Sequence, residues 1–140
     1  MSAAPDSVVA AARAWLGTPY RHQASLLGSG CDCLGLVRGV WRQLYGAEPA
    51  TPPAYGREAR GDVHAGALEA AAERFLVASP GSLEPGQVLL FALHRGRPPR
   101  HCGILVAPDR FIHAQEQLGV VEASLSTAWR RRIAAQFAFP

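Results

Sequence analysis

The sequence predicts an α+β fold in which N-terminal helices pack on a C-terminal antiparallel sheet of about five strands. Two observations favour this class. Apolar residues recur at helical spacing in the first half of the chain, and after Ser79-Pro80-Gly81 short apolar runs alternate with turn residues. The connections are short, and no linker or repeat is present, so residues 1–140 are predicted to form a single domain.

Three helices are expected before this change of character, over Val8–Leu16, Cys33–Leu44 and Val63–Phe75. Asp6 or Ser7 is expected to cap the first helix, and Gly17 to end it. The second helix has apolar residues at helical spacing and is expected to stop at Gly46.

Five strands are predicted in the second half, over Gln87–Leu93, His101–Val106, Arg110–Gln115, Val120–Leu125 and Arg132–Phe139. Pro108-Asp109 is the natural turn between the second and the third of them. The run Arg130-Arg131-Arg132 is interpreted as the solvated start of the last strand.

The charged residues exclude some classes of chemistry. All 14 basic residues are arginine, so neither a Schiff-base lysine nor a P-loop lysine is available. The net charge of +3 is modest, and no aromatic residues are interleaved with the arginine run, so no nucleic-acid partner is expected. No window approaches the roughly 20 apolar residues of a membrane span, and the N-terminus lacks the pattern of a signal peptide.

The segment Gly30–Leu36 predicts a thiol nucleophile at Cys33, on the first turn of the second helix. The positive end of a helix dipole favours thiolate over thiol. Two later strands each carry a histidine, His101 and His113, and a histidine beside a thiol can take its proton. Cys31 is the alternative nucleophile, although it lies before the predicted start of the helix.

The other cysteine chemistry is expected to be simple. The three cysteines are an odd number, and Cys31 and Cys33 lie too close for an unstrained bridge, so all are interpreted as thiols. Because His101 and Cys102 alternate on a strand, they face opposite ways and cannot share one ion, and Cys102 is expected in the core. No metal and no cofactor is predicted.

The two histidines give a geometric test of this site. A strict two-residue hairpin pairing Ala107 with Arg110 would place His113 on the opposite face of the sheet from His101. For both to serve one site, the loop must hold an odd number of residues or a strand must bulge. We predict such a feature between Val106 and Phe111.

Four blocks in chain order resemble the NlpC/P60 cysteine peptidases, a papain-like family, and specifically its small phage-type members. The blocks are Leu16-Gly17-Thr18-Pro19-Tyr20, Asp32-Cys33-Leu34-Gly35-Leu36, His101-Cys102-Gly103-Ile104 and Phe111-Ile112-His113-Ala114. This resemblance implies hydrolysis of stem-peptide bonds in bacterial peptidoglycan, with the γ-D-glutamyl bond to the diamino acid as the usual preference.

The resemblance also implies a role for individual residues. Cys33 would be the nucleophile, His101 the base, and His113 the third residue, which orients His101. Tyr20 would place its hydroxyl near the oxyanion, and Asp32 would support the site from beside the nucleophile.

The chain departs from the family pattern at two places. Leu34 follows the nucleophile where many relatives have a serine, and Arg21-His22-Gln23 replaces a tryptophan and paired glycines. These changes leave the expected catalytic chemistry intact, but they leave open which stem-peptide bond is cut and how the free end of the substrate is held.

The phage-type resemblance implies that the enzyme belongs to a virion or tail-like particle, such as a gene transfer agent. It would be assembled in the cytoplasm and carried with tail proteins to the cell wall. Two alternatives remain open: a structural tail-hub or assembly component that keeps a hydrolase fold for its shape, and a papain-like amidase or acyltransferase acting on another substrate.

Overall fold

The structure, a computed structural model, describes residues 3–50 and 66–140. Its helices are α1 (Pro5–Ala14), α2 (Cys33–Tyr45), α3 (Ala67–Phe75) and α4 (Thr127–Arg132). Its strands are β1 (Ser25–Leu26), β2 (Gly30–Cys31), β3 (Val77–Ala78), β4 (Val88–Phe91), β5 (His101–Ala107), β6 (Arg110–Gln115), β7 (Gly119–Ser124) and β8 (Ile133–Ala138). The predicted α+β class is confirmed.

Within the described residues, the main sheet is antiparallel and has six strands in the order β3-β8-β4-β5-β6-β7. The five predicted strands correspond to β4–β8, and the short strand β3 adds one edge. A separate two-stranded ladder, β1-β2, precedes α2. Strands of two residues carry no alternation, which explains why the sequence pattern did not reveal β1, β2 and β3.

The sheet buries both of its faces. One face packs against α1 and α2 through a large apolar cluster that includes Val88, Leu90, Cys102, Ile104 and Ile112. The opposite face forms a smaller cluster of Leu89, Phe91, Leu105, Phe111 and Leu125, against which Trp129 of α4 packs. Because adjacent residues of a strand face opposite ways, neighbouring positions of β4, β5 and β6 belong to different clusters.

The hairpin between β5 and β6 contains the predicted irregularity. Ala107 pairs with Arg110 around a two-residue turn, but Leu105 already pairs with Phe111, so the register shifts at Val106. This extra residue on β5 is a bulge, and it moves the following pairs by one position. His101 and His113 therefore lie on the same face of the sheet, and the prediction is confirmed.

The first helix begins differently from the prediction. Ala4 is the N-cap, with no side-chain hydrogen bond, and Pro5 occupies the first turn, where its fixed φ suits a helix. Asp6 lies inside the first turn, and neither it nor Ser7 is the cap. In residues 3–50 and 66–140, no helix is long and apolar enough to cross a membrane.

The arginine run is helical and does not begin a strand. Arg130, Arg131 and Arg132 form the last turn of α4, and β8 starts at Ile133. Ser126 begins this helix, since its side chain accepts a hydrogen bond from the Trp129 N–H. Basic side chains at a helix C-terminus interact favourably with the dipole, which is consistent with this placement.

The structure describes the third helix, α3, from Ala67 to Phe75. Its C-terminal end at Phe75 agrees with the prediction. The predicted start at Val63 lies outside the described residues.

The contact between Gly39 on α2 and Trp15 generates a prediction. A Cβ at position 39 would overlap the six-membered ring of Trp15, which is buried. Gly39→Ala should therefore lower the free energy of unfolding by about 2 kcal/mol through overpacking, although this change usually stabilises an exposed helix by about 1 kcal/mol. Urea unfolding measures the effect.

The double variant with Trp15→Phe provides the control, because the smaller ring leaves room for the added methyl group. In that background Gly39→Ala should destabilise less than in the wild type. An equal loss in both backgrounds would show that the overlap with Trp15 is not the cause.

Candidate active site

The start of α2 is set by Asp32, whose side chain is almost completely buried. Its Oδ1 atom accepts a hydrogen bond from the Gly35 N–H at 2.7 Å, and its Oδ2 atom accepts one from the Gln23 N–H at 2.8 Å. The first bond caps the helix, and the second connects the cap to the preceding loop. Cys33 is thereby held as the first residue of α2.

The thiol of Cys33 lies among hydrogen-bonding groups from β5 and the chain just before it. Its Sγ atom is 4.0 Å from the Arg100 carbonyl oxygen, and the Cys102 thiol donates to the Cys33 carbonyl oxygen at 3.3 Å. A hydrogen bond from Cys102 and the hydrogen bond and positive charge of His101 hold the pKa of the Cys33 thiol well below its usual range, although burial opposes them. Cys33 is therefore the thiol most readily ionised near neutral pH.

The thiols of Cys31 and Cys102 are unreactive because their pKa values are raised. Cys31 is completely buried, and burial together with the negative charge of Asp32 raises its pKa to about 12. The hydrogen bond to Cys33 and burial raise the pKa of Cys102 well above its usual range. All three cysteines are unbridged, and the buried, protonated Cys31 is unsuited to be the alternative nucleophile.

The two histidines are in direct contact. His101 Nε2 and His113 Nδ1 are 2.8 Å apart, and the ring planes are nearly perpendicular at 74°. His113 has no exposed surface, and burial together with the positive charge of His101 lowers its pKa to about 3. His113 is therefore neutral at physiological pH, and it can accept a hydrogen bond from a charged His101.

Aromatic rings that sequence reasoning did not assign to the site surround this pair. The Trp129 ring is centred 5.8 Å from that of His101 and 5.3 Å from that of His113. Phe111 packs 4.5 Å from His113, and Phe91 lies 6.0 Å from His101. The sequence signal that could have placed Trp129 on a helix is the N-cap residue Ser126. A helix as short as α4 shows no apolar periodicity.

A second residue that was not predicted, Gln115, contacts the site at the end of β6. Its side-chain amide is 3.2 Å from His113 Nε2. Because it lies two residues after His113 on one strand, both side chains project from the same face.

Tyr20 lies beside the strand that leads to the nucleophile. It forms an isolated parallel bridge with Cys31, and the Arg21 N–H donates to the Cys31 carbonyl oxygen at 3.1 Å. The Tyr20 side chain is partly buried against the large apolar cluster. Its predicted role at the oxyanion stays a prediction.

Among the described residues, no group of three or more His, Cys, Asp or Glu side chains is placed to hold a metal ion. The reason is clear for the strand β5. Cys102 belongs to the apolar cluster beneath α1 and α2, whereas His101 contacts Phe91 and Trp129 on the other face.

A sequence profile of the NlpC/P60 family matches residues 17–137. The chain belongs to the NlpC/P60 family. The match includes the cysteine helix and both histidine strands.

Known NlpC/P60 proteins are similar over most of this chain. The murein DD-endopeptidase MepS/murein LD-carboxypeptidase of Escherichia coli K12 is 28% identical over 119 residues, which cover 84% of this chain and 54% of the relative. The chain thus spans about half the length of that relative.

Solved structures show the same fold. An NlpC/P60 family protein from Bacillus cereus superposes with a TM-score of 0.70 at 19% identity, covering 99% of this chain and 41% of that one. The NlpC/P60 domain of the peptidoglycan hydrolase SagA superposes with a TM-score of 0.61 at 24% identity, covering 99% of both chains.

One departure from the NlpC/P60 pattern has a visible structural effect. Gln23 adopts φ of 65°, a left-handed conformation that glycine adopts without strain. A side chain in this region is strained by about 1 kcal/mol. The strain is offset by the hydrogen bond that the Gln23 N–H donates to Asp32.

The pKa of His113 generates a prediction about stability. Its pKa is about 3 in the folded state and 6.5 ordinarily, so between these values the unfolded chain binds a proton that the folded chain does not. The free energy of unfolding should therefore fall as the pH decreases below 6.5, by up to about 1.4 kcal/mol per pH unit from this group. His113→Gln should flatten that dependence, as measured by urea unfolding at several pH values.

The matched control is His94→Gln, because His94 is exposed. This variant should keep the wild-type dependence. A His113→Gln variant that loses stability with acid as steeply as the wild type would contradict the assignment of His113 as a buried neutral imidazole.

Proposed function

We propose that this protein is a cysteine peptidase that hydrolyses a peptide bond in the stem of bacterial peptidoglycan. The observation that carries the proposal is the hydrogen-bonded pair of His101 and His113 beside a Cys33 thiol of lowered pKa. This is the arrangement of an activated thiol nucleophile, a base and an orienting group. The similarity to the murein endopeptidase MepS and to the domain of the peptidoglycan hydrolase SagA supports peptidoglycan as the substrate.

The proposed reaction proceeds through a thioester. The Cys33 thiolate attacks the carbonyl carbon of the scissile amide, and the tetrahedral intermediate collapses as the C–N bond breaks. His101 donates a proton to the leaving amine. Water then attacks the thioester carbonyl and gives a proton to His101, and Cys33 leaves as a thiolate.

The neighbouring groups have separate tasks in this reaction. His113 accepts a hydrogen bond from His101 and so holds the imidazolium in orientation. The Cys33 backbone N–H, at the first turn of α2, is suited to stabilise the oxyanion, and the Tyr20 hydroxyl is proposed as a second donor.

Leu34 bears on the choice of substrate bond. It lines an apolar cavity of about 330 Å³ between α2 and α3, to which Cys102 also contributes. A leucine at this position offers an apolar contact where the serine of many relatives offers a hydroxyl group. The γ-D-glutamyl bond to the diamino acid is the bond we propose to test first.

Digestion of purified peptidoglycan tests this function. The wild type should release fragments whose masses identify the cleaved bond, whereas Cys33→Ala should release none, because the thioester cannot form. The matched control is Cys31→Ala, which removes a buried, unreactive thiol two residues away and should retain activity.

Two results would overturn the proposal. If the wild type released no fragments and its Cys33 also reacted slowly with iodoacetamide near pH 6, a structural role would replace it. If Cys33 reacted rapidly but only other amides or esters were cleaved, the protein would be a papain-like amidase or acyltransferase.

We further propose that the enzyme acts from a phage tail or a tail-like particle, such as a gene transfer agent. The support for this proposal is the resemblance of its four motif blocks to small phage-type NlpC/P60 proteins. Such a particle would carry the enzyme to the wall and open it locally.

Fractionation of particles from a producing culture tests the location. The protein should sediment with the tail proteins at a constant ratio through a density gradient, as measured by quantitative mass spectrometry. Purified, infective or transfer-competent particles without this chain would contradict the proposal.

A further inference from the structure

The amide of Gln115 contacts the far side of the buried His113 ring. His113 uses Nδ1 toward His101 at 2.8 Å and Nε2 toward the Gln115 amide at 3.2 Å. Phe111 and Trp129 pack around its ring, centred 4.5 and 5.3 Å away. Because the His113 side chain has no exposed surface, the Gln115 amide takes the place that water would occupy beside an exposed imidazole.

The proton positions follow from the chemistry of this chain of rings. A neutral imidazole carries one N–H, and the other nitrogen accepts. When His101 is an imidazolium, both of its nitrogens carry protons, and its Nε2–H points at His113 Nδ1. His113 Nδ1 must then be the accepting nitrogen, so the single proton of His113 must reside on Nε2.

A proton on His113 Nε2 requires an acceptor, and this defines the orientation of the Gln115 amide. The carboxamide nitrogen is the atom placed at 3.2 Å. A half-turn of the amide exchanges nitrogen and oxygen with little change of shape. The side-chain oxygen then accepts from His113 Nε2–H, and both nitrogens of His113 are used consistently.

We propose that Gln115 is a positioning residue whose side-chain oxygen holds His113 in the Nε2–H form, so that His113 accepts the hydrogen bond of charged His101. This inference rests on the proposed peptidase function, in which His101 must carry the proton between Cys33 and the leaving group. It also extends the Cys-His-His set by one residue. In the Nδ1–H form, His113 would direct an N–H at the N–H of charged His101. The ion pair between the Cys33 thiolate and the His101 imidazolium would then be weakened.

The backbone of Gln115 is well placed for this task. The Leu118 N–H donates to the Gln115 carbonyl oxygen at 3.2 Å, and Gln115 pairs with Gly119 across the β6-β7 turn. Charged groups on other elements also lie near the site: Arg132 of α4 lies over the Trp129 ring at 5.5 Å, and the negative charge of Asp32 acts on Cys33.

Nitrogen NMR of the histidine side chains in the full-length wild type is the direct measurement. The ¹⁵N shifts and ring couplings should show His113 protonated on Nε2 at neutral pH. Protonation on Nδ1 in the wild type would overturn the proposal without any variant.

Two substitutions of Gln115 distinguish whether its side-chain amide accepts from His113 or donates to it. Gln115→Glu keeps an acceptor but has no donor, so it should retain the Nε2–H form. Gln115→Leu has neither, so it should give a mixture of the two forms. The matched control is Gln117→Leu, the same change at an exposed position on the turn.

The rate of Cys33 alkylation against pH reports the consequence for the nucleophile, with the modified cysteine identified by mass. Gln115→Leu should raise the midpoint pH of Cys33 alkylation by about one pH unit and lower kcat about tenfold. Changes of this size are expected from losing one such hydrogen bond. Gln115→Glu and Gln117→Leu should not raise the midpoint. If Gln115→Glu behaved as Gln115→Leu does, the amide would act as a donor, and the proposal would be wrong.

These readouts distinguish the two proposals. An Nδ1–H form of His113 in a protein that digests peptidoglycan would overturn only the role of Gln115. Slow alkylation of Cys33 in the wild type, together with no digestion, would overturn the peptidase function itself.

Discussion

The position of the nucleophile depends on two hydrogen bonds to one buried carboxylate. Asp32 accepts from the Gly35 N–H inside α2 and from the Gln23 N–H in the preceding loop. The two segments are also in close contact, since a Cβ at Gly35 would overlap the Ala24 carbonyl oxygen. The first turn of α2 and its preceding loop are therefore held together, with the partly buried Cys33 between them. Breaking the cap would displace the nucleophile as well as destabilise a helix.

The site is assembled across both faces of one strand. Cys102 projects toward α2 and contacts Cys33, while the adjacent His101 projects toward His113 and the aromatic rings of the other face. The bulge at Val106 brings His113 to that face. Gly103 allows the close approach, because a Cβ there would lie 3.2 Å from the Cβ of His113 and 2.9 Å from the Ile112 carbonyl oxygen.

Much of this arrangement could be predicted from local pattern. The helix of Cys33 and the strands of the two histidines follow from residue periodicity, and the bulge follows from requiring both imidazoles at one site. The aromatic cover could not be predicted, because Trp129 and the histidines are far apart in the chain and α4 has only six residues. The prediction of a strand start at Arg130–Arg132 is wrong because α4 is too short to show helical periodicity. A charge run does not distinguish a helix end from a strand.

The sequence by itself indicated the elements that carry the proposed catalytic residues, because capping, alternation and helical spacing act over a few residues. The tertiary structure decided how strongly the pKa of each thiol is shifted and which nitrogen of His113 faces His101. Both depend on burial and on neighbours distant in the chain. Cys31 and Cys33 are two residues apart, yet Cys31 faces the apolar core and Cys33 faces His101. Local sequence favours Cys33 through its place on the first turn of α2, but the burial of Cys31 and the contact of Cys33 with His101 arise only when α2 packs against the sheet.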